Sequence, residues 1–269
     1  MPSPTPTPPR FLPVDLTGER VVITAGAAGI GHTIAEAFLA CGARVAVCDI
    51  DTTALAAAQA SLPGALRHEV DVAKPEAMAA FFRSVEQAFG GVDVLVNNAG
   101  IAGPTANVED VTSEGLDATL AVDIASQFYA ARGVIPGMKA RRKGTVINLS
   151  SVAGRLAFPM RSPYAAAKWA VVGFTKSIAA ELGPFDIRAN CIIPGHVRTE
   201  RFDRVITAKA AIEGIPVEQM RKEYLSVVSL QRNVEKEDIA NMALYLASRF
   251  GRNITGQAIS VCGDVQMMR

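Results

Sequence analysis

The sequence predicts an open α/β fold: a parallel sheet, doubly wound, with helices on both faces. Two observations carry this. From Arg20 onward, short runs rich in β-branched residues alternate with longer alanine-rich segments. Most of the runs are rich in β-branched and other apolar residues, as strands buried on both faces require. At 269 residues the chain suits one large domain with a substantial core, spanning 15–269 after a short tail.

Seven runs read as strands: RVVIT, ARVAVCD, ALRHEVD, VDVLVNN, GTVINLS, IRANCII and AISVCG. Between them, IGHTIAEAFLACG, KPEAMAAFFRSVEQAFG, YAAAKWAVVGFTKSIAAELG and EKEDIANMALYLAS read as helices, with Gly42, Gly90 and Gly183 as C-terminal stops. One segment breaks the rhythm. Residues 200–229, between the sixth and seventh strands, hold two helical patterns split by Gly214 and Pro216. An insertion after a strand's carboxyl end lies where open α/β sheets bind ligands, so it reads as a substrate lid, with Phe202, Ile206, Ile212, Met220 and Tyr224 as its apolar faces. A plain surface hairpin is the alternative.

A formal net charge of +1, with both signs mixed along the chain, leaves no electrostatic footprint for nucleic acid or an anionic membrane, so a small-molecule partner is expected. Cys41, Cys48, Cys191 and Cys262 form no CxxC pair and sit in apolar runs, which points to reduced core thiols, a cytoplasmic protein and no metal site. Residues 1–14 open with MPSPTPTPPR, a proline-rich pattern expected to be a disordered tail and lacking the apolar stretch of a signal peptide. No apolar run is long enough to span a membrane.

The first strand leads through TAGAAGIG, from Thr24 through Gly26 and Gly29 to Ile30 and Gly31, directly into a helix. Glycines let the backbone approach a pyrophosphate, and the helix N-terminus offers free N–H groups and a positive dipole end. The next strand ends at Asp49, whose carboxylate can accept both adenosine ribose hydroxyls and repel a 2′-phosphate. No Arg or Lys stands in the turn or just after Asp49, which favours NAD over NADP. Asp71 and Val72 end the third strand, where they can meet the adenine. Asn97, Ala99 and Gly100 lie in NNAG at the end of the fourth, beside the ribose.

The stretch SPYAAAK sets Tyr164 and Lys168 four residues apart, hence on one face of a helix. A free phenol ionises near pH 10, so acting as a base near neutrality requires roughly 4 kcal/mol of preferential stabilisation of the phenolate. One cation at about 5 Å supplies roughly 3 kcal/mol at an effective dielectric of about 20, and the positive ring of an oxidised nicotinamide adds to it. Ser151, at the end of the fifth strand, is positioned to bond the substrate oxygen. Proton transfer at an alcohol, coupled to hydride transfer to a nicotinamide, is the reaction these residues suit. An ordinary alanine-rich helix with a snorkelling lysine is the bland alternative.

With TAGAAGIG, NNAG, NLSS, YAAAK, IIPGHVRT and NITGQ in order, the chain from about Asp15 onward resembles the short-chain dehydrogenase/reductase family. The resemblance implies a Rossmann-type sheet of order 3-2-1-4-5-6-7 and a homotetramer or homodimer. It also implies that Tyr164 is the acid/base, that Lys168 holds the ribose and lowers the tyrosine pKa, and that Ser151 polarises the substrate oxygen. Ile30 and Gly31 then meet the pyrophosphate, Asn97 the nicotinamide-side ribose, and Pro194, Gly195, Val197 and Thr199 the nicotinamide. Three positions depart from the family pattern. Ala25 stands for the first glycine of the turn. VCGD stands for a VDGG-like ending. Asp123 stands for the asparagine that holds a water beside the catalytic lysine, and its negative charge opposes ionisation of Tyr164, which moves the optimum for alcohol oxidation to higher pH.

Substrate contacts in such a protein fall on Arg155, Phe158, Arg161, His196 and Arg198, a polar and cationic set. A polyol, sugar or hydroxy acid is the expected substrate class, with Ser151, Arg155 and His196 as its contacts. The arginines face solvent or a neighbouring subunit on the other reading. A non-redox NAD sensor or scaffold on the same fold is the rival from another functional class.

Overall fold

The computed structural model describes residues 9–268. Seven strands, β1 (Arg20–Thr24), β2 (Arg44–Asp49), β3 (Leu66–Glu69), β4 (Val94–Asn97), β5 (Gly144–Leu149), β6 (Ile187–Pro194) and β7 (Ala258–Val261), form one parallel sheet in the order 3-2-1-4-5-6-7. The expected architecture and strand order are therefore those of the structure. β1, β4 and β5 are buried almost throughout, because helices cover both faces.

On one face, α1 (Gly29–Ala40) and α9 (Lys236–Ala247) enclose a core around Ile23, Ile34, Phe38, Ile192 and Leu244. On the other, α3 (Pro75–Phe89), α5 (Ser126–Arg141) and α6 (Ser162–Leu182) pack Phe81, Phe82, Met138, Phe174 and Ile178 against Val22, Leu95 and Val146. Helices α2 (Thr52–Ser61) and α4 (Ser113–Leu120) complete the connections. Gly42 and Gly90 adopt the left-handed conformation that ends a helix, at φ 86° and 72°. Gly183 does not: its φ is −50°, the chain continues through a 3-10 turn, and Asp186 supplies the left-handed stop instead.

Of the segment 1–14 expected as a tail, residues 1–8 lie outside the described residues. Arg10 to Val14 are fastened to the domain: Arg10 pairs with Glu237 and Glu36 at 2.8 and 3.2 Å, the Leu12 amide donates to Asn241, and Val14 is buried. Residues 200–229 form α7 (Glu200–Glu213), capped by the Thr199 hydroxyl, and α8 (Val217–Ser226), which close on each other through Ile206, Ala210, Met220 and Tyr224. The VCGD departure has a structural role here. Gly263 and Asp264 accept the Leu230 and Ser229 amides, and the Asp264 carboxylate accepts the Ser229 hydroxyl at 2.6 Å, so this turn holds the end of the α7–α8 insertion. No described helix is long and apolar enough to cross a membrane.

Ala25, where the family pattern has glycine, adopts φ 51°, a left-handed conformation that its Cβ disfavours. Its carbonyl accepts from the Asn98 amide at 2.9 Å, which holds the turn against that preference. Ala25→Gly should therefore raise unfolding stability by roughly 0.5–1 kcal/mol in urea melts. A loss of stability would show that the alanine methyl contributes packing that outweighs the strain.

Candidate active site

A cleft of about 630 Å³ opens along the carboxyl ends of the strands, at the switch point where β1 and β4 lie side by side. Its lining includes Gly29, Ile30, Asp49, Asp71 and Val72 at one end. Ser151, Tyr164, Lys168, Pro194, Gly195, His196, Val197 and Thr199 line it further along. Residues separated by most of the chain thus share one cavity.

The nucleotide end fits an anion and a diol. Helix α1 begins after Ala28 with no side-chain cap and no acidic residue in its first turn, so its leading amides are left for a ligand, whereas Asp51 caps the neighbouring α2. Gly31 is needed for this geometry, since a Cβ there would stand 2.2 Å from the Ala25 carbonyl oxygen. The Asp49 carboxylate accepts from the Ala27 and Asp51 amides, both at 3.2 Å, which orients it into the cleft. Asp71 is similarly held, accepting from the Ala73 amide at 2.9 Å.

Four residues expected at the nucleotide do not line the cleft. The Thr24 hydroxyl accepts the Asn98 and Ala99 amides at 3.0 Å and ties β1 to β4, while Gly26 packs on Val47 and Gly31 sits behind Ala25. Asn97 is the clearest case. Its amide donates to Asn148, which donates to Thr175, all in the core. The next residue, Asn98, faces the cleft instead, together with Ala99 and Gly100.

At the chemical end, Tyr164 and Lys168 lie in the first two turns of α6, and the Lys168 Nζ stands 5.5 Å from the centre of the Tyr164 ring. Lys168 is buried and faces the fully buried Asp123 carboxylate at 3.3 Å, while also donating to the Leu149 carbonyl. Asp123 reaches this position because residues 121–125 form a π-helical turn between α4 and α5. That turn shifts the register of the helical surface, a device common at functional sites. The other Asp123 oxygen accepts the Ile101 amide at 2.6 Å. Gly100 leaves room for the pair, since a Cβ there would lie 3.1 Å from the Lys168 Nζ. Ser151 caps a short 3-10 turn, its oxygen accepting the Ala153 amide at 3.2 Å, and opens to the same cleft.

The substrate candidates separate. Arg155 is exposed, donates to Ser260 at 2.7 Å and lies off the cleft, and Arg198 pairs with Glu235 on the surface. Arg161 and Phe158 do line it. His196 also lines it, buried between Phe202 and Tyr224 with ring centres 5.4 and 5.1 Å away. Burial lowers its pKa to about 4, so the ring is neutral near neutrality. Lining residues that the sequence reading did not single out include Ile50, Asp51, Arg201, Arg204, Lys236 and Met268. For Arg201 and Arg204 a signal existed: they follow the Thr199 cap by two and five residues, hence on one face of the helix's first turns. Nothing periodic announces Met268.

Comparison with known proteins identifies the family. A family model described as enoyl-(acyl carrier protein) reductase matches residues 25–264. A D-beta-hydroxybutyrate dehydrogenase of Rhizobium meliloti (strain 1021) is 36% identical, covering 90% of this chain and 96% of its own. A 2-(S)-hydroxypropyl-CoM dehydrogenase 3 of Xanthobacter autotrophicus is also 36% identical, covering 93% and 97%. Among solved structures, NAD+-bound xylitol dehydrogenase aligns with a TM-score of 0.89 at 25% identity over 92% of this chain and 98% of its own. Levodione reductase aligns with a TM-score of 0.87 at 27% identity, covering 92% and 97%. The chain belongs to the short-chain dehydrogenase/reductase family. It is accordingly an oxidoreductase that moves a hydride between a nicotinamide dinucleotide and an alcohol or ketone.

Two outcomes follow from the charges in this site. Asp123→Asn removes the negative partner of Lys168 and should shift the pH–rate profile for alcohol oxidation towards lower pH; an unchanged profile would show that the Asp123 charge does not act on the proton transfer. His196 takes up a proton near 6.5 when unfolded but only near 4 when folded, so it stabilises the fold above about pH 6.5 and that contribution is lost as pH falls towards 4. The loss amounts to about 3 kcal/mol. Burial lowers His32 and His68 in the same sense, so the comparison is with the His196→Phe variant. Melting temperatures between pH 7 and about 4.5 should fall less steeply for that variant, and equal slopes would contradict the assignment.

Proposed function

We propose that the protein is an NAD-dependent dehydrogenase, or ketone reductase in the reverse direction, acting on a small polar secondary alcohol of the polyol, sugar or hydroxy acid class. One observation carries the reading: Tyr164, Lys168 and Ser151 open into the same cleft as Asp49 and the uncapped start of α1. The bound dinucleotide supplies the acceptor for the carbinol hydride. Ser151 donates to the substrate oxygen and orients it. Tyr164 takes the hydroxyl proton, and Lys168 favours the phenolate by its charge while holding the nicotinamide-side ribose. Asp123 keeps Lys168 in place and serves the proton relay towards solvent. Pro194, Gly195, Val197 and Thr199 hold the nicotinamide, and Ile30 and the α1 amides the pyrophosphate.

The preference for NAD rests on Asp49, which is held in the cleft where a 2′-phosphate would meet its charge. Helices α7 and α8 act as the lid, since Phe202, Val205 and Tyr224 line the cleft from one side. Assembly as a homotetramer or homodimer is supported by Phe128 and Trp169, large side chains about half exposed on α5 and α6. The four free cysteines suit the cytoplasm. The names of relatives include hydroxy acids and a sugar, D-beta-hydroxybutyrate, trans-4-hydroxycyclohexanecarboxylate and galactose, which supports a polar substrate.

NADH absorbance with a panel of such alcohols tests the reading. Turnover with NAD should exceed turnover with NADP by about 100-fold or more, and Tyr164→Phe should lower kcat by about 10² to 10⁴. Tight NAD binding with no turnover on any panel member, and no effect of Tyr164→Phe, would favour a dinucleotide sensor instead.

A further inference from the structure

The substrate end of the cleft holds two cations that no carboxylate neutralises. Arg161 is only 4% exposed, yet it pairs with no acidic residue among the described residues. Its two terminal nitrogens donate to the Thr105 hydroxyl at 3.2 Å and the Ala102 carbonyl at 2.5 Å, and its Nε has no partner. Arg201, at the start of α7, donates to the Gly100 carbonyl at 2.5 Å and makes no ion pair among the described residues. Both guanidinium groups therefore converge on one loop, residues 100–105, and both line the cleft.

The charges that could have cancelled them are committed elsewhere. Asp123 is paired with Lys168, and Glu200 lies 3.9 Å from Arg204. His196 adds no charge, being neutral near neutrality. Burial is the main influence against the Arg161 charge; Tyr164 and Tyr224 favour it, Arg201 repels it, and Asp123 adds a smaller attraction. A buried cation left this way destabilises the free protein, and a bound anion relieves it.

We propose that Arg161 and Arg201 together hold a carboxylate of the substrate, so that the protein oxidises short hydroxy acids to keto acids rather than neutral polyols or sugars. This rests on the dehydrogenase reading above. The Arg161 guanidinium carbon lies 5.7 Å from the centre of the Tyr164 ring and 5.4 Å from that of Phe158. A carboxylate bonded to it sits about two to four carbons from a carbinol that Tyr164 can reach. In the reaction the carbinol C–H and O–H bonds break and a C=O bond forms. The hydride with its electron pair reduces NAD, the proton leaves through Tyr164, and the carboxylate is unchanged.

The same guanidinium chemistry also suits a phosphate of the dinucleotide, and the experiment separates the two. Butanoate and butanamide are titrated into protein saturated with NADH and followed by NADH fluorescence; 3-hydroxybutanoate and 3-hydroxybutanamide are compared as substrates. Butanoate should bind at least about 10-fold tighter than the amide, and kcat/KM should favour the acid by a similar factor or more. Arg161→Gln and Arg201→Gln should each cut the acid-to-amide ratio about 10-fold without changing NADH affinity, while Arg161→Lys retains part of it. Arg201 is exposed, so its variant guards against a folding defect at the buried Arg161. Equal binding of acid and amide would overturn the proposal, as would variants that weaken NADH itself, which would assign the arginines to the dinucleotide. Failure of the wild-type protein to bind NADH at all would remove the dehydrogenase reading and this inference with it.

Discussion

The ion pair between Lys168 and Asp123 is the interaction on which the rest of the site depends. An ammonium group in so buried a position costs several kcal/mol without a partner, and the Asp123 carboxylate 3.3 Å away supplies one. The pair also ties together parts of the chain that arrive separately: the end of β5 through the Leu149 carbonyl, the loop after β4 through the Ile101 amide, and the π-helical turn that carries Asp123. Because Lys168 cannot move without breaking these contacts, its charge stays beside the Tyr164 ring. Asparagine at position 123 would provide hydrogen bonds alone. Aspartate provides charge as well, and so trades some of the lysine's pull on the phenol for a fixed cation.

Around that pair the cleft carries both signs of charge. Asp49, Asp51, Asp71 and Glu200 line it, as do Arg161, Arg201, Arg204 and Lys236, and Arg161 lies beside the Tyr164 ring. The helix dipole and free amides of α1 make a local positive patch at the pyrophosphate position. A molecule with a diol at one end, phosphates next to it and a reactive ring further on meets a complementary surface at each step.

Much of this was legible in the sequence. The strands were, because a parallel sheet buried on both faces favours short apolar, β-branched runs, and all seven lie where such runs stand, although β3 is only partly buried. Tyr164 and Lys168 were legible because helical spacing puts them on one face. The residues that lie off the cleft share a cause: whether a side chain faces the cleft or the core depends on a neighbour distant in sequence. Asn97 and Asn98 differ only by strand alternation, and it is Asn148 on the adjacent strand that draws Asn97 inward. Arg155 and Arg161 look alike in sequence. Only the folded turn shows that Ser260 takes the first, while the loop after β4 takes the second. A π-helical register and a C-terminal Met268 brought back to the cleft leave no periodic trace at all.

The most direct measurement is a crystal structure of the complex with NADH. The account predicts the adenosine ribose on Asp49, the nicotinamide against Pro194, Gly195 and Val197, and the Lys168 ammonium shared between the nearer ribose and Asp123, with the Tyr164 hydroxyl facing the ring. A dinucleotide lying elsewhere, or a Lys168 side chain turned away from both Asp123 and the ribose, would contradict it.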